Sequence, residues 1–165
     1  MMRVLALFSL ILLASCGLRP VYSGGSAGPV ATTLSGIDVA PIDGKAGWLM
    51  GSALKARLGA EGSPRYRLEV ELDDQITGFG IRRDDAVTRE RRTLRARYRL
   101  VEIGPGTVVL DATAGSDAGI DVVSSDYATI VAENTALERL MGVVADQIVA
   151  RVALFAQRTN SATDK

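Results

Sequence analysis

Histidine is absent from the 165 residues, and cysteine occurs once, as Cys16. The first absence removes the commonest metal ligand and the usual general base near neutral pH. The second leaves no thiol pair for a disulfide and too few sulfurs for a cysteine-rich metal site. Lysine is scarce too: only Lys45 and Lys55 precede Lys165, which leaves few partners for a Ser/Lys nucleophile. Excess charge is also missing, since 19 basic and 19 acidic residues cancel. A neutral chain does not have the electrostatic footprint of a nucleic-acid binder. These absences argue against an enzyme and imply no catalytic residue, no metal and no cofactor.

The apolar run near the start is short. It extends from Val4 to Ala14 after Met1-Met2-Arg3, broken only by Ser9. About 11 residues make a helix of roughly 16 Å, which cannot cross a hydrocarbon core of about 30 Å. A basic start, a short apolar stretch and small residues before a cut site describe a secretory signal peptide, here residues 1–15. Leu13-Ala14-Ser15-Cys16 resembles the bacterial lipobox. That resemblance implies cleavage before Cys16, diacylation of its sulfur and N-acylation of the new terminus. One acyl chain anchors a protein only marginally, whereas several hold it stably. The plain alternative for Cys16 is an incidental thiol. Gly17 is not the aspartate that resembles an inner-membrane retention signal, which favours the outer membrane, with the domain on its periplasmic side.

The remaining residues suffice for one core and not for two comfortable domains. Residues 16–36 are rich in Gly, Ser, Pro and Ala and read as a lipidated flexible tether, leaving 37–165 as a single domain. Ile37 and Val39 start a short strand that could reach Pro41-Ile42 and stops at Asp43-Gly44. Trp48, Leu49, Leu54 and Leu58 recur at helical spacing, with Gly59 as a stop. Tyr66 to Leu72 and Leu94 to Leu100 alternate strictly between apolar and charged residues, the pattern of half-buried strands. Gly78-Phe79-Gly80 reads as a break or bend. Gly104-Pro105-Gly106 signals a tight turn, and a further strand begins at Thr107.

Ser124-Ser125-Asp126 supplies N-cap candidates for a long last helix. Its apolar stripe runs from Tyr127, Ile130 and Val131 through Leu137, Met141, Val144, Ile148 and Val152 to Phe155. The expected fold is α+β: a four-stranded sheet with two helices packed on one face, in the order β-α-β-β-β-α. The first link favours a parallel crossover if its two strands pair. The other sheet face should stay wet and charged.

This order on a lipid-tethered domain resembles the lipopolysaccharide-assembly lipoprotein family LptE, in its alphaproteobacterial branch. Cys16-Gly17-Leu18-Arg19-Pro20-Val21-Tyr22 is similar to that branch's opening Cys-Gly-aromatic-x-Pro-Leu-Tyr-Gly. Leu18 replaces the aromatic, Val21 replaces leucine, and the glycine is displaced to Gly24. Ala132-Glu133-Asn134, Glu138-Arg139 and Ala145-Asp146-Gln147-Ile148 are similar to the branch's terminal helix. The resemblance implies a lipoprotein that plugs the outer-membrane β-barrel LptD, aids its folding and takes part in receiving lipopolysaccharide, without catalysis. A lipoprotein accessory of a phospholipid transporter has the same anchor and a similar mixed fold, and is the alternative.

Arg95, Arg97 and Arg99 stand two apart, so one strand face carries all three, with neighbours roughly 7 Å apart. Arg89, Arg91 and Arg92 extend the basic run. Guanidinium groups suit phosphates, which lipid A carries, and Arg91, Arg92, Arg95, Arg97 and Arg99 become candidate lipopolysaccharide or barrel contacts. Ordinary pairing with Glu69 and Glu71 on the neighbouring strand competes, but two carboxylates leave positive charge in surplus. Asp73-Asp74 and Asp84-Asp85 read as turn-flanking acids rather than a cation or two-carboxylate site. Trp48 reads as core.

Overall fold

In the computed structural model, residues 28–59, 63–81, 87–123 and 125–163 are described. The expected signal peptide, Cys16 and the first part of the expected tether lie outside them. The elements are α1 (Pro29–Ser35), β1 (Ile37–Val39), α2 (Gly44–Leu58), β2 (Tyr66–Ile81), β3 (Val87–Glu102), β4 (Thr107–Asp121) and α3 (Asp126–Thr163). The class is α+β as expected, but with three helices in the order α-β-α-β-β-β-α.

The additional helix corrects the tether reading. Pro29 stands at the start of α1, where its missing N–H costs nothing, and Val30 and Leu34 one turn apart are buried. Glycine and proline content hid this helix, which takes up residues 29–35 of the stretch. The Asn160 amide of α3 reaches the Thr33 hydroxyl at 3.4 Å, beside this docked turn.

The sheet order is β1-β2-β3-β4, with β1 parallel to β2 and the other pairs antiparallel. Gly106 takes φ +68° in the β3–β4 turn, and its N–H donates to the Glu102 carbonyl at 2.9 Å. Gly78 and Gly80 do not end β2. Pairing with β3 carries the strand on through Phe79 and Ile81, so ladder hydrogen bonds override the local weakness of glycine. At about 3.3 Å per residue the three long strands each span roughly 50 Å.

Alternation decides which face is buried. Val70, Tyr98 and Ala112 share one row, and Leu72, Ala96 and Ala114 the next. All these side chains face the helices. α3 lies along them, burying Val144, Ile148 and Val152, and Tyr66 meets Phe155 edge-on with centroids 6.0 Å apart. By length and composition α3 could cross a membrane, but half of its most apolar window is buried in the fold, as in a core helix. The Ser125 hydroxyl accepts the Ala128 N–H at 3.4 Å at its start.

α2 runs beside α3 in the same direction. Lys45 Nζ donates to Asn134 Oδ1 at 2.8 Å, and Arg57 Nε meets Asp146 Oδ1 at 2.6 Å. Two core expectations fail here. Trp48 is 69 % exposed, because α2 buries Gly47, Met50, Leu54 and Leu58 and turns the indole away. Tyr127, Ile130 and Val131 are exposed as well. They do continue the apolar stripe of α3, but α2 begins level with Asn134 and never reaches them.

Gly47 allows the close approach of α2 to the preceding loop, since a Cβ there would overlap the Ile42 carbonyl. A Cβ at Gly51 would meet nothing within 4 Å. Gly47→Ala should therefore lower the denaturant midpoint, while Gly51→Ala should raise stability by up to about 1 kcal/mol. Urea unfolding of both variants checks the pair.

Candidate functional site

The sheet face away from the helices is built by odd-numbered residues, because the ladder from β2 through β4 keeps one parity until the bulge at Leu100/Val101. Four of the five arginine candidates, Arg91, Arg95, Arg97 and Arg99, lie on this open face, joined by Arg89 and by Arg67 of β2. Arg67 alternates only with Arg65, just before the strand, and not with a longer arginine run.

Carboxylates occupy the same face. Arg99 Nη2 lies 3.2 Å from Glu69 and 3.7 Å from Glu71. Arg97 grips Asp111 with two donors, at 3.3 and 2.9 Å. Arg89 meets Asp121 at 3.0 Å. Arg91 approaches Asp117 at 4.0 Å and lies 5.5 Å from the centre of the Phe79 ring. The expected surplus of positive charge is therefore not there. Among the described residues, Arg67, Arg89, Arg91, Arg95, Arg97 and Arg99 share the face with Asp38, Glu69, Glu71, Asp73, Asp111, Asp117 and Asp121. Three of those acids come from β4, whose full length the sequence reading did not anticipate. Its odd positions Asp111, Asp117 and Asp121 did carry the period-two signal.

Arg95 differs from its neighbours. Its one hydrogen bond joins Nη1 to its own strand, at the Leu94 carbonyl 3.4 Å away, and no carboxylate of the described residues lies within ion-pair distance. Its side chain lies across Gly115, where a Cβ would come within 2.6 Å of Nη1 and 2.7 Å of Cδ. The Gln147 amide holds both backbone groups of Gly115, at 3.2 and 3.3 Å, and so fixes that strip of β4. Arg95 and Arg97 border an open hollow of about 430 Å³ with Glu71, Asp73 and Thr113. Among the described residues no three His, Cys, Asp or Glu side chains converge as metal ligands.

Arg92 belongs to the opposite face. Even parity turns it under α3, where it meets Asp74 through two hydrogen bonds of 2.7 and 2.5 Å and donates to the Glu133 carbonyl at 2.9 Å. Its side chain is 11 % exposed and that of Asp74 19 %. This is a clasp between sheet and helix, not an outward contact.

The model of the family described as LptE, lipopolysaccharide-assembly, matches residues 34–152, more than half of the chain. This chain belongs to the LptE family. The family's description ties it to lipopolysaccharide assembly. Solved structures share the fold. A candidate lipoprotein from Caulobacter crescentus CB15 superposes with a TM-score of 0.67 at 22 % identity, covering 79 % of this chain and 98 % of that one. A lipoprotein B from Nitrosomonas europaea gives 0.57 at 14 %, covering 73 % and 82 %. The rare lipoprotein B from Shewanella oneidensis gives 0.53 at 9 %, covering 78 % and 97 %. No curated protein matches the chain.

On this LptE-family sheet, the Arg97 hydrogen bonds hold the Asp111 carboxyl below the ordinary carboxylate range, and Arg57 does the same for Asp146. A depressed carboxylate contributes stability above its unfolded-state pKa, and that contribution is lost as pH falls through the folded value. Both pairs therefore weaken only in acid. The clasp and the open-face pairs should respond differently to truncation. Arg92→Ala leaves Asp74 half-buried and unpaired and should cost about 1–3 kcal/mol. Arg89→Ala on the open face should stay within about 0.5 kcal/mol. Denaturant titration of each variant measures the difference.

Proposed function

We propose that this chain is the lipoprotein partner of an LptD-type outer-membrane barrel, seated in it as a plug, assisting its folding and the assembly of lipopolysaccharide. Family membership supports the reading, and the one-sided sheet carries it. Helices cover one face, while the other presents charges along strands of roughly 50 Å. Membrane barrels with wide lumens have polar interiors, and a face of alternating arginines and carboxylates is chemically suited to such a wall. The reading includes lipidation at Cys16 and a periplasmic-side domain. From Cys16 to Gly28 the chain could extend at most about 40 Å, which keeps the domain close to its anchor.

Within this reading Arg95, like Arg67, is available to an anion, and Arg95 is the one within the arginine run of β3. Arg91, Arg97 and Arg99 already face carboxylates, so a phosphate must compete for them, whereas Arg95 has no such partner to leave. A lipopolysaccharide phosphate and a carboxylate of the barrel wall are both suitable.

Affinity capture of the full-length chain from detergent-solubilised envelopes should recover a large outer-membrane barrel. Arg95→Gln should keep the fold and weaken binding to purified lipopolysaccharide, and the wild-type affinity should fall as salt rises. Recovery of an inner-membrane transporter alone would replace this reading with the phospholipid-accessory one. Unchanged lipopolysaccharide binding by folded Arg95→Gln would leave Arg95 as a barrel contact only.

A further inference from the structure

At the end of the domain farthest from β1, two uncovered surfaces adjoin. The first is a strand edge. β1 pairs only with Tyr66 to Leu68, so from Glu69 onward no strand of the described residues lies along the outer edge of β2. The Tyr66 N–H donates to the Gly36 carbonyl, and the Leu68 carbonyl accepts the Ala40 N–H. Even-numbered residues of β2 thus direct their backbone groups outward. The unbroken register with β3 extends this parity to Ile76 and Gly78. Glu69, Glu71, Asp73 and Asp74 guard the first half of the edge with charge, but no charged residue or proline stands between Gln75 and Ile81. Edges that must stay single are normally blunted by such residues or covered.

The second surface is apolar. Ile76 is exposed on the helix side of β2, and Phe79 on the open face. Tyr127, Ile130 and Val131 lie within roughly 60° of Asn134 around α3, on the side that α2 would cover if it were longer. They form an uncovered stripe beyond the start of α2.

We infer that a strand-forming segment of the barrel protein adds to the outer edge of β2 at Gln75 to Phe79, with apolar side chains against Ile76 and the α3 stripe. The inference rests on the barrel reading above. Outward N–H and C=O groups recurring about every 7 Å are matched by an extended backbone, which names the class of occupant. The absence of charge over these residues asks for an apolar, neutral segment. A five-residue edge buries too little to hold two copies of this chain together alone, since stable interfaces bury at least about 1,200 Å². It fits as one margin of a larger contact, and Phe79, stacked with Arg91, joins it to the open face.

The test uses the full-length chain in the envelope. A photo-crosslinking residue at Thr77 or at Ile130 should capture the barrel, and one at Arg158, at the other end of α3, should not. Ile76→Pro deletes an outward N–H without touching the β3 ladder and should reduce barrel recovery about fivefold or more, while Ile76→Val should not. Equal recovery with folded Ile76→Pro, or crosslinks from Thr77 to a second copy of the chain, would overturn the inference. If Ile76→Pro does not fold, the crosslinks at Thr77 and Ile130 decide it. A barrel captured from position 97 but not from 77 or 130 would overturn the edge contact alone. No barrel from any position would overturn the barrel reading as well.

Discussion

The contact of α3 with one face of the sheet is the constraint on which the rest depends. Alanines line both sides of it: Ala96, Ala112 and Ala114 on the strands, Ala145, Ala153 and Ala156 on the helix. Small residues let the helix lie close, and the larger Leu, Val and Ile side chains fill the flanks. Because the same helix spans much of the long strands, its clasp to Arg92 and its Gln147 bridge to Gly115 hold the sheet along its length. One layer of helices suffices for the core, and among the described residues no element covers the opposite face or pairs with the outer edge of β2 beyond Leu68.

Much of this was legible in the sequence. Strict alternation in Tyr66 to Leu72 and Leu94 to Leu100 gave the two central strands and their buried parity. Gly59 and Gly104-Pro105-Gly106 gave a helix end and a hairpin. The misses have physical causes. α1 is too short for periodicity to show, and its stability comes from docking Val30 and Leu34 rather than from propensity. Glycines at 78 and 80 suggested a break that ladder pairing overrides. Trp48 and the first turn of the α3 stripe were placed in the core because a stripe reveals which residues are apolar, not how far the neighbouring helix extends.

The candidate site was partly legible. The odd-numbered arginines were assigned to one face, and that is where they lie. Arg92 was grouped with them through sequence adjacency, though its even number places it under α3 against Asp74. The larger miss concerned charge balance. Asp111, Asp117 and Asp121 neutralise what looked like surplus, and only the β3–β4 register brings them opposite the arginines. The result is a face on which Arg89, Arg91, Arg97 and Arg99 meet carboxylates, with Arg67 and Arg95 as the exceptions. Such a face is soluble on its own and can exchange its pairs for those of a polar wall.

The central claim is that this open face meets the partner. Arginine-selective labelling, read by mass spectrometry on the free protein and on its complex captured from the outer membrane, tests it directly. The account predicts that Arg95, Arg97 and Arg99 react in the free protein and become protected in the complex. Unchanged reactivity at these three, with protection appearing instead at Arg139 and Arg158 on α3, would contradict it.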